Sequence, residues 1–130
     1  MSPAARRALT LLGLLGLCAA YLQGGLNKLL NYPGAVAEAV HFGLPLPAFA
    51  AAGTIAVELL ASAMVITGCL RGLGALALML FTLAATVIAN RYWELPPGME
   101  RFMMANSFYE HFGLAAAFLL VALWNQETAA

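Results

Sequence analysis

Apolar residues dominate four stretches of the chain, 8–30, 48–69, 72–90 and 106–124. Each is close to the roughly 20 residues that carry a helix across a hydrocarbon core of about 30 Å. Polar residues inside them are few and recur at helical spacing. The first stretch has Gln23 and Asn27, with Lys28 beside them. The second has Thr54, Glu58 and Ser62, and the third has Thr82, Thr86 and Asn90. The fourth opens with Asn106 and Glu110, with His111 adjacent. Residues four apart share one helical face, and these faces are expected to turn inward, because lipid cannot pair an amide or a carboxylate. The pattern predicts an all-α membrane protein, an antiparallel four-helix transmembrane bundle forming a single integral-membrane domain.

The connections differ in kind. Residues 70–71 are a tight hairpin, whereas 31–47 and 91–105 are longer links. Pro33 favours a helix start, and Gly43, Pro45 and Pro47 favour a stop. A short interfacial helix, too short to span, is therefore expected between spans one and two. Both longer links fall at one membrane face, so Gln23, Asn27, Lys28, Asn90, Asn106, Glu110 and His111 are all expected in the same half of the bilayer. The other half is nearly apolar apart from Cys18, Ser62 and Thr67. A one-sided polar pocket beneath the longer links follows, with Glu58 as its floor.

Composition agrees with lipid as the solvent: 63% of the 130 residues are hydrophobic and 9% are charged, too few to clothe a soluble domain. Tyr32, Tyr92, Trp93 and Trp124 stand where interfacial aromatic belts are expected. Net charge is zero, and no basic cluster extends beyond Arg6 and Arg7, so nucleic-acid binding is excluded. Arg6, Arg7 and the apolar run before Cys18 imitate a secretory signal. The unbroken helical polar spacing and the Leu17 before the cysteine favour a retained span instead. The positive residues Arg6, Arg7 and Arg71 oppose Lys28, Arg91 and Arg101, a slight bias placing both termini in the cytoplasm. Residues 126–130 are read as a frayed tail.

Cys18 and Cys69 differ in depth by roughly 15 Å at 1.5 Å per residue, beyond disulfide reach, and are read as small buried apolar groups. An ionised Glu58 near mid-span costs on the order of 3 kcal/mol or more, so it is protonated or paired. Lys28 is the obvious cation, provided it reaches downward or the helices are offset; Glu110 or His111, bridged by water, could instead share its charge. Plainer readings stand beside these. The threonines and Ser62 can bond their own backbone, Lys28 can snorkel, Glu58 can be a packing ion pair, and Glu110 and His111 can be solvated. Glu38 and His41 read as a wetted face of the interfacial helix. There is no metal-ligand spacing, Cys-x-x-Cys, axial histidine pair or phosphate loop. Any redox role thus requires a mobile carrier such as a quinone, or a partner subunit.

The runs Gly24-Gly25-Leu26-Asn27-Lys28-Leu29 and Gly43-Leu44-Pro45-Leu46-Pro47 are followed by Glu58, by Gly68-Cys69-Leu70-Arg71 and by Phe108-Tyr109-Glu110-His111. In this order they resemble the DoxX family of small bacterial membrane proteins across nearly the whole chain. The resemblance implies a four-helix inner-membrane protein, draws attention to Lys28 and Glu58, and points to oxidoreductases or small subunits of quinone-linked sulfur oxidation.

Three functions fit these residues. The first is a subunit of a membrane redox system whose pocket binds a quinone-like carbonyl compound. In it Gln23, Lys28 or His111 donates hydrogen bonds, Glu58 or Glu110 relays protons, and Asn27, Asn90 and Asn106 line the site. The second is a non-enzymatic scaffold or assembly module, and the third a small-solute permeation protein, which would need a homo-oligomer.

Overall fold

The computed structural model of the protein describes residues 1–129, with side chains through Gln126. All regular structure among these residues is helical. Four helices are long and apolar enough to cross a membrane: α1 (Pro3–Leu30), α3 (Pro47–Thr67), α4 (Arg71–Ala89) and α5 (Met99–Ala129). A short helix, α2 (Tyr32–His41), lies between the first two, and a 3-10 turn (Tyr92–Glu94) precedes the last.

Local chemistry sets these boundaries. The Ser2 hydroxyl caps α1 by accepting from the Ala5 amide at 3.1 Å, and Pro3 occupies the first turn, where its missing N–H costs nothing. Asn31 closes α1 and opens α2, its Oδ1 accepting from the Gly34 amide at 3.2 Å. With this cap α2 begins at Tyr32 and places Pro33, expected to favour a helix start, in its first turn. Gly43, at φ +69°, ends α2. The Tyr32 hydroxyl donates to the Ala48 carbonyl at 2.5 Å and ties α2 to the start of α3.

The hairpin between α3 and α4 uses Gly68 (φ +87°) and Leu70 (φ +53°). The Arg71 side chain folds back over it. Its Nε donates to the Val65 carbonyl at 2.7 Å and satisfies an acceptor at the open end of α3. α5 begins at Met99, about two turns before the expected 106. Gly98 marks the start, and Glu100 in the first turn suits the positive end of the helix dipole. The charges at 100 and 101, read as link, belong to helix that extends past the apolar span. The tail expected to fray from Gln126 continues as helix to Ala129, and Ala130 lies outside the described residues.

The helices run antiparallel. Along α1, Leu14 shares a cavity with Ile66, Arg71 and Trp124, Tyr21 meets Thr82 and Phe118, and Lys28 shares a cavity with Glu58, Asn90 and His111, so residue numbers fall in α3, rise in α4 and fall in α5. α1 packs on α3, α3 on α4, and α4 most extensively on α5. α1 and α5 meet chiefly through long side chains, Tyr21 edge-on to Phe118 at 5.4 Å. One core occupies the half of the bundle nearer the hairpin, built around Leu14, Cys18, Tyr21, Val65, Leu78 and Phe118.

Cys18 is fully buried there, as expected of a small apolar group. Cys69 departs from that expectation and is exposed at the hairpin, because the turn lifts it off the end of α3.

Candidate functional site

The inner face of α1 carries Leu14, Cys18, Tyr21 and Gly25, with Lys28 one further turn along. The alternating steps of four and three keep these residues on one stripe. At Gly25 the α3 helix approaches so closely that a Cβ would stand 2.7 Å from Leu59 Cδ2, and at Gly24 one would stand 2.9 Å from Glu58 Oε2. These two glycines admit the α3 side chains that reach α1. Opposite them α3 widens into a π-helical turn, Val57–Ala61, that holds Glu58. Such single π turns inside α-helices are frequent at functional sites.

The result is a direct ion pair. Lys28 Nζ donates to Glu58 Oε1 at 2.8 Å, the lysine side chain retaining 21% exposure and the carboxylate 7%. Of the two arrangements left open above, the lysine reaching down to the carboxylate is the one adopted. The charge is not shared with Glu110.

Above the pair opens a cavity of about 320 Å³. Its polar lining is Lys28, Glu58, Thr54, Asn90, His111 and Glu38, and its apolar walls include Phe81, Ala85, Ile88 and Leu114. Asn90 and His111 have defined orientations, as does Tyr21, which also lines the cavity. The Asn90 Nδ2 donates to Thr86 Oγ1 at 3.1 Å, which turns its carbonyl oxygen toward other partners. His111 Nδ1 lies 2.6 Å from the Ser107 carbonyl, which can only accept, so Nδ1 carries a proton and Nε2 is the nitrogen free for a ligand. Thr82 gives its proton to the Leu78 carbonyl at 2.6 Å, so Tyr21 is the donor in its 2.5 Å bond to Thr82 Oγ1. Thr82 therefore bonds its own backbone, the plainer of the readings open to it. Among the described residues no three His, Cys, Asp or Glu side chains converge as a metal site requires.

The polar residues expected to face inward near the open end divide sharply. Asn90 and His111 line the cavity with Lys28 and Glu58. Gln23, Asn27, Asn106 and Glu110 do not; all four are exposed on the outer faces of α1 and α5. One residue along a helix turns a side chain by about 100°, so Asn27 beside Lys28, and Glu110 beside His111, point elsewhere. The exposure of Asn27, Asn106 and Glu110 is tolerable because they lie toward the same end as Asn90, where α4 terminates, within reach of interfacial water; Gln23 sits deeper, about 10 Å from the end of α1. Conversely, Tyr21, Phe42 and Glu38 line the cavity without having been singled out as site residues. Tyr21 was discoverable, since counting back four and three from Lys28 reaches Gly25 and then Tyr21. Glu38 and Phe42 arrive only because α2 folds over the mouth.

These features define a polytopic membrane protein with a buried ion pair at the base of a one-sided, half-apolar cavity. The chain belongs to the DoxX family, whose sequence profile matches residues 9–91. It is also similar to the inner membrane protein YphA of Escherichia coli (strain K12), with 28% identity over 120 residues, covering 92% of this chain and 85% of that protein. No solved structure matches it significantly.

Proposed function

We propose that the protein is an inner-membrane subunit of a redox system, and that the Lys28–Glu58 cavity receives a quinone-like carbonyl compound from the bilayer. The observation that carries this reading is the placement of one ion pair at the base of a cavity whose remaining walls are largely apolar. Ligand sites commonly combine apolar walls with a few convergent polar groups in volumes of about 300–1,000 Å³. Intramembrane ionisable residues cost enough to call for a functional explanation. The relative from E. coli supports placement in the inner membrane, and the weak positive bias supports cytoplasmic termini.

In this reading Lys28 donates to a carbonyl oxygen, and the carbonyl oxygen of Asn90 accepts from the hydroxyl that reduction forms. Glu58, ionised in its pair with Lys28, takes up a proton and passes it to that oxygen when electrons arrive from a partner protein. Glu38 at the mouth and His111 Nε2 provide the route by which Glu58 regains a proton from water. The thin contact between α1 and α5 offers an apolar ligand a lateral entrance. The permeation reading draws no support from the packed core, which fills the bundle beyond Tyr21 and Phe118. A scaffold reading keeps the ion pair as packing alone.

The deciding experiment is Glu58→Gln, assayed for membrane yield, thermal stability and quinone reduction with the native partner present. Normal assembly with quinone reduction lost is the expected result. Full activity in the well-folded variant refutes the proton relay and leaves the scaffold.

The native cysteines test the proposed orientation. A membrane-impermeant maleimide is expected to label Cys69 only from the cytoplasmic side, and to label Gly98→Cys in a Cys69→Ser background only from the periplasmic side. Cys18 should stay unlabelled until the protein is denatured. Labelling of positions 69 and 98 from one side would overturn the antiparallel arrangement.

A further inference from the structure

A second cavity, of about 290 Å³, lies at the hairpin end of the bundle, on the far side of the core from Glu58. Arg6, Arg7 and Arg71 stand at its lining, and Leu11, Leu14 and Ile66 supply its apolar part. Half of the six Lys and Arg residues of the chain therefore meet here. Every carboxylate whose side chain is described belongs to the opposite end or to mid-span; Glu127, whose side chain lies outside the described ones, is the remaining acid.

The three guanidiniums are not equivalent. Arg71 is fixed: Nε donates to the Val65 carbonyl at 2.7 Å, Nη2 reaches the Ile66 carbonyl at 3.5 Å, and the cation sits 5.7 Å from the centre of the Trp124 ring. Its Nη1 has no partner among the described residues. Arg6 and Arg7 are exposed and form no ion pair among the described residues. They can close on an anion from the α1 side.

Depth separates charge from hydrocarbon. Leu14 lies about 10 Å along α1 from Arg7, at 1.5 Å per residue, so the cavity passes from guanidinium to leucine over the thickness of a headgroup and the start of an acyl chain. A free phosphate would use the arginines and leave the apolar part unfilled. A zwitterionic lipid would bring its own cation against three others.

We propose that this cavity is a binding site for one anionic phospholipid, its phosphate held by Arg6, Arg7 and Arg71 and its proximal acyl segment lying on Leu11, Leu14 and Ile66. Trp124 walls the site and holds Arg71 in place. Basic pockets between transmembrane helices have this headgroup preference on general electrostatic grounds.

The test uses the full chain purified in neutral detergent and titrated with phosphatidylglycerol, phosphatidylcholine or inorganic phosphate, followed by native mass spectrometry and thermal melting. One phosphatidylglycerol per chain should be retained, with a raised melting temperature, and phosphatidylcholine should not substitute. R6Q/R7Q leaves the Arg71 cap of α3 intact and should weaken phosphatidylglycerol binding by about fivefold per arginine removed. R101Q, at the other end of the bundle, is the control and should bind as the parent does. Unchanged binding in R6Q/R7Q, an equal loss in R101Q, or equal retention of phosphatidylcholine overturns the site. Displacement of the lipid by inorganic phosphate with the same stabilisation overturns the lipid as its occupant.

Discussion

Replacing Lys28 with methionine should destabilise the protein severely, by about 3–5 kcal/mol, because it strands a buried carboxylate without its partner. The loss should be asymmetric. Glu58 keeps only 7% of its side-chain exposure whereas Lys28 keeps 21%, so a lysine deprived of Glu58 can withdraw toward the interface. The carboxylate has no such path, for the π turn fixes it at mid-span between Gly24 and Gly25. Glu58→Gln alone should therefore cost less than Lys28→Met. The double change Lys28→Met, Glu58→Met should restore most of the stability, since an apolar pair of similar volume can replace a buried ion pair. Thermal melting in detergent, with the yield of folded protein in membranes, measures all three. If the double variant is no better than Lys28→Met, the two side chains do not act as a pair and the site described above is wrong. Restored stability without restored quinone reduction would separate the folding role of the pair from the proposed chemical one.

The second large effect concerns the seam between α3 and α4. Gly74 is buried, and a Cβ there would stand 2.8 Å from the Ala61 carbonyl oxygen and 2.9 Å from Met64 Cβ. Neither obstacle is the free end of a flexible side chain, so the two helices must move apart. Gly74→Ala should cost about 1–3 kcal/mol, the usual range for overpacking a close-packed interior, and Gly74→Val should cost more. Gly25→Ala meets Leu59 Cδ2 at 2.7 Å and Cγ at 2.8 Å; no backbone atom stands in the way, so the whole leucine side chain can shift and the loss should be smaller than at Gly74. Gly13→Ala and Gly16→Ala meet nothing within 4 Å and should cost nothing, because alanine is the better helix former. Equal melting temperatures for Gly74→Ala and Gly13→Ala would show that α3 and α4 do not approach as closely as described.

The charged centre of the site was legible in the sequence, and most of its lining was not. Lys28 and Glu58 stand out because charge inside an apolar run is expensive wherever the run folds. The rows around them misled. Gln23 and Asn27 are four apart, as are Asn106 and Glu110, and each row does share a face. That face is the outer one. The inward stripe of α1 passes through Lys28 and Tyr21, and that of α5 through His111, Ala115 and Phe118. Helical spacing says which residues stand together but not which way they look, and near the membrane boundary water can satisfy an amide that mid-membrane lipid could not.

What the sequence determined by itself is what local energetics dictate. Four apolar runs of spanning length make four helices, Pro33 and the Asn31 cap start the short one, Gly68 permits the hairpin turn, and alternating connections make neighbours antiparallel. Tertiary structure alone decided the rotation of each helix about its axis, the descent of Lys28 to Glu58, the closing of α2 over the mouth, and the meeting of Arg6, Arg7 and Arg71 around a second cavity. The physical reason is that rotation and offset are set by the fit of large side chains into small ones across helix pairs. Tyr21 against Phe118, Leu59 against Gly25 and Met64 against Gly74 are partners remote in sequence, and no single helix carries the record of its neighbour's shape.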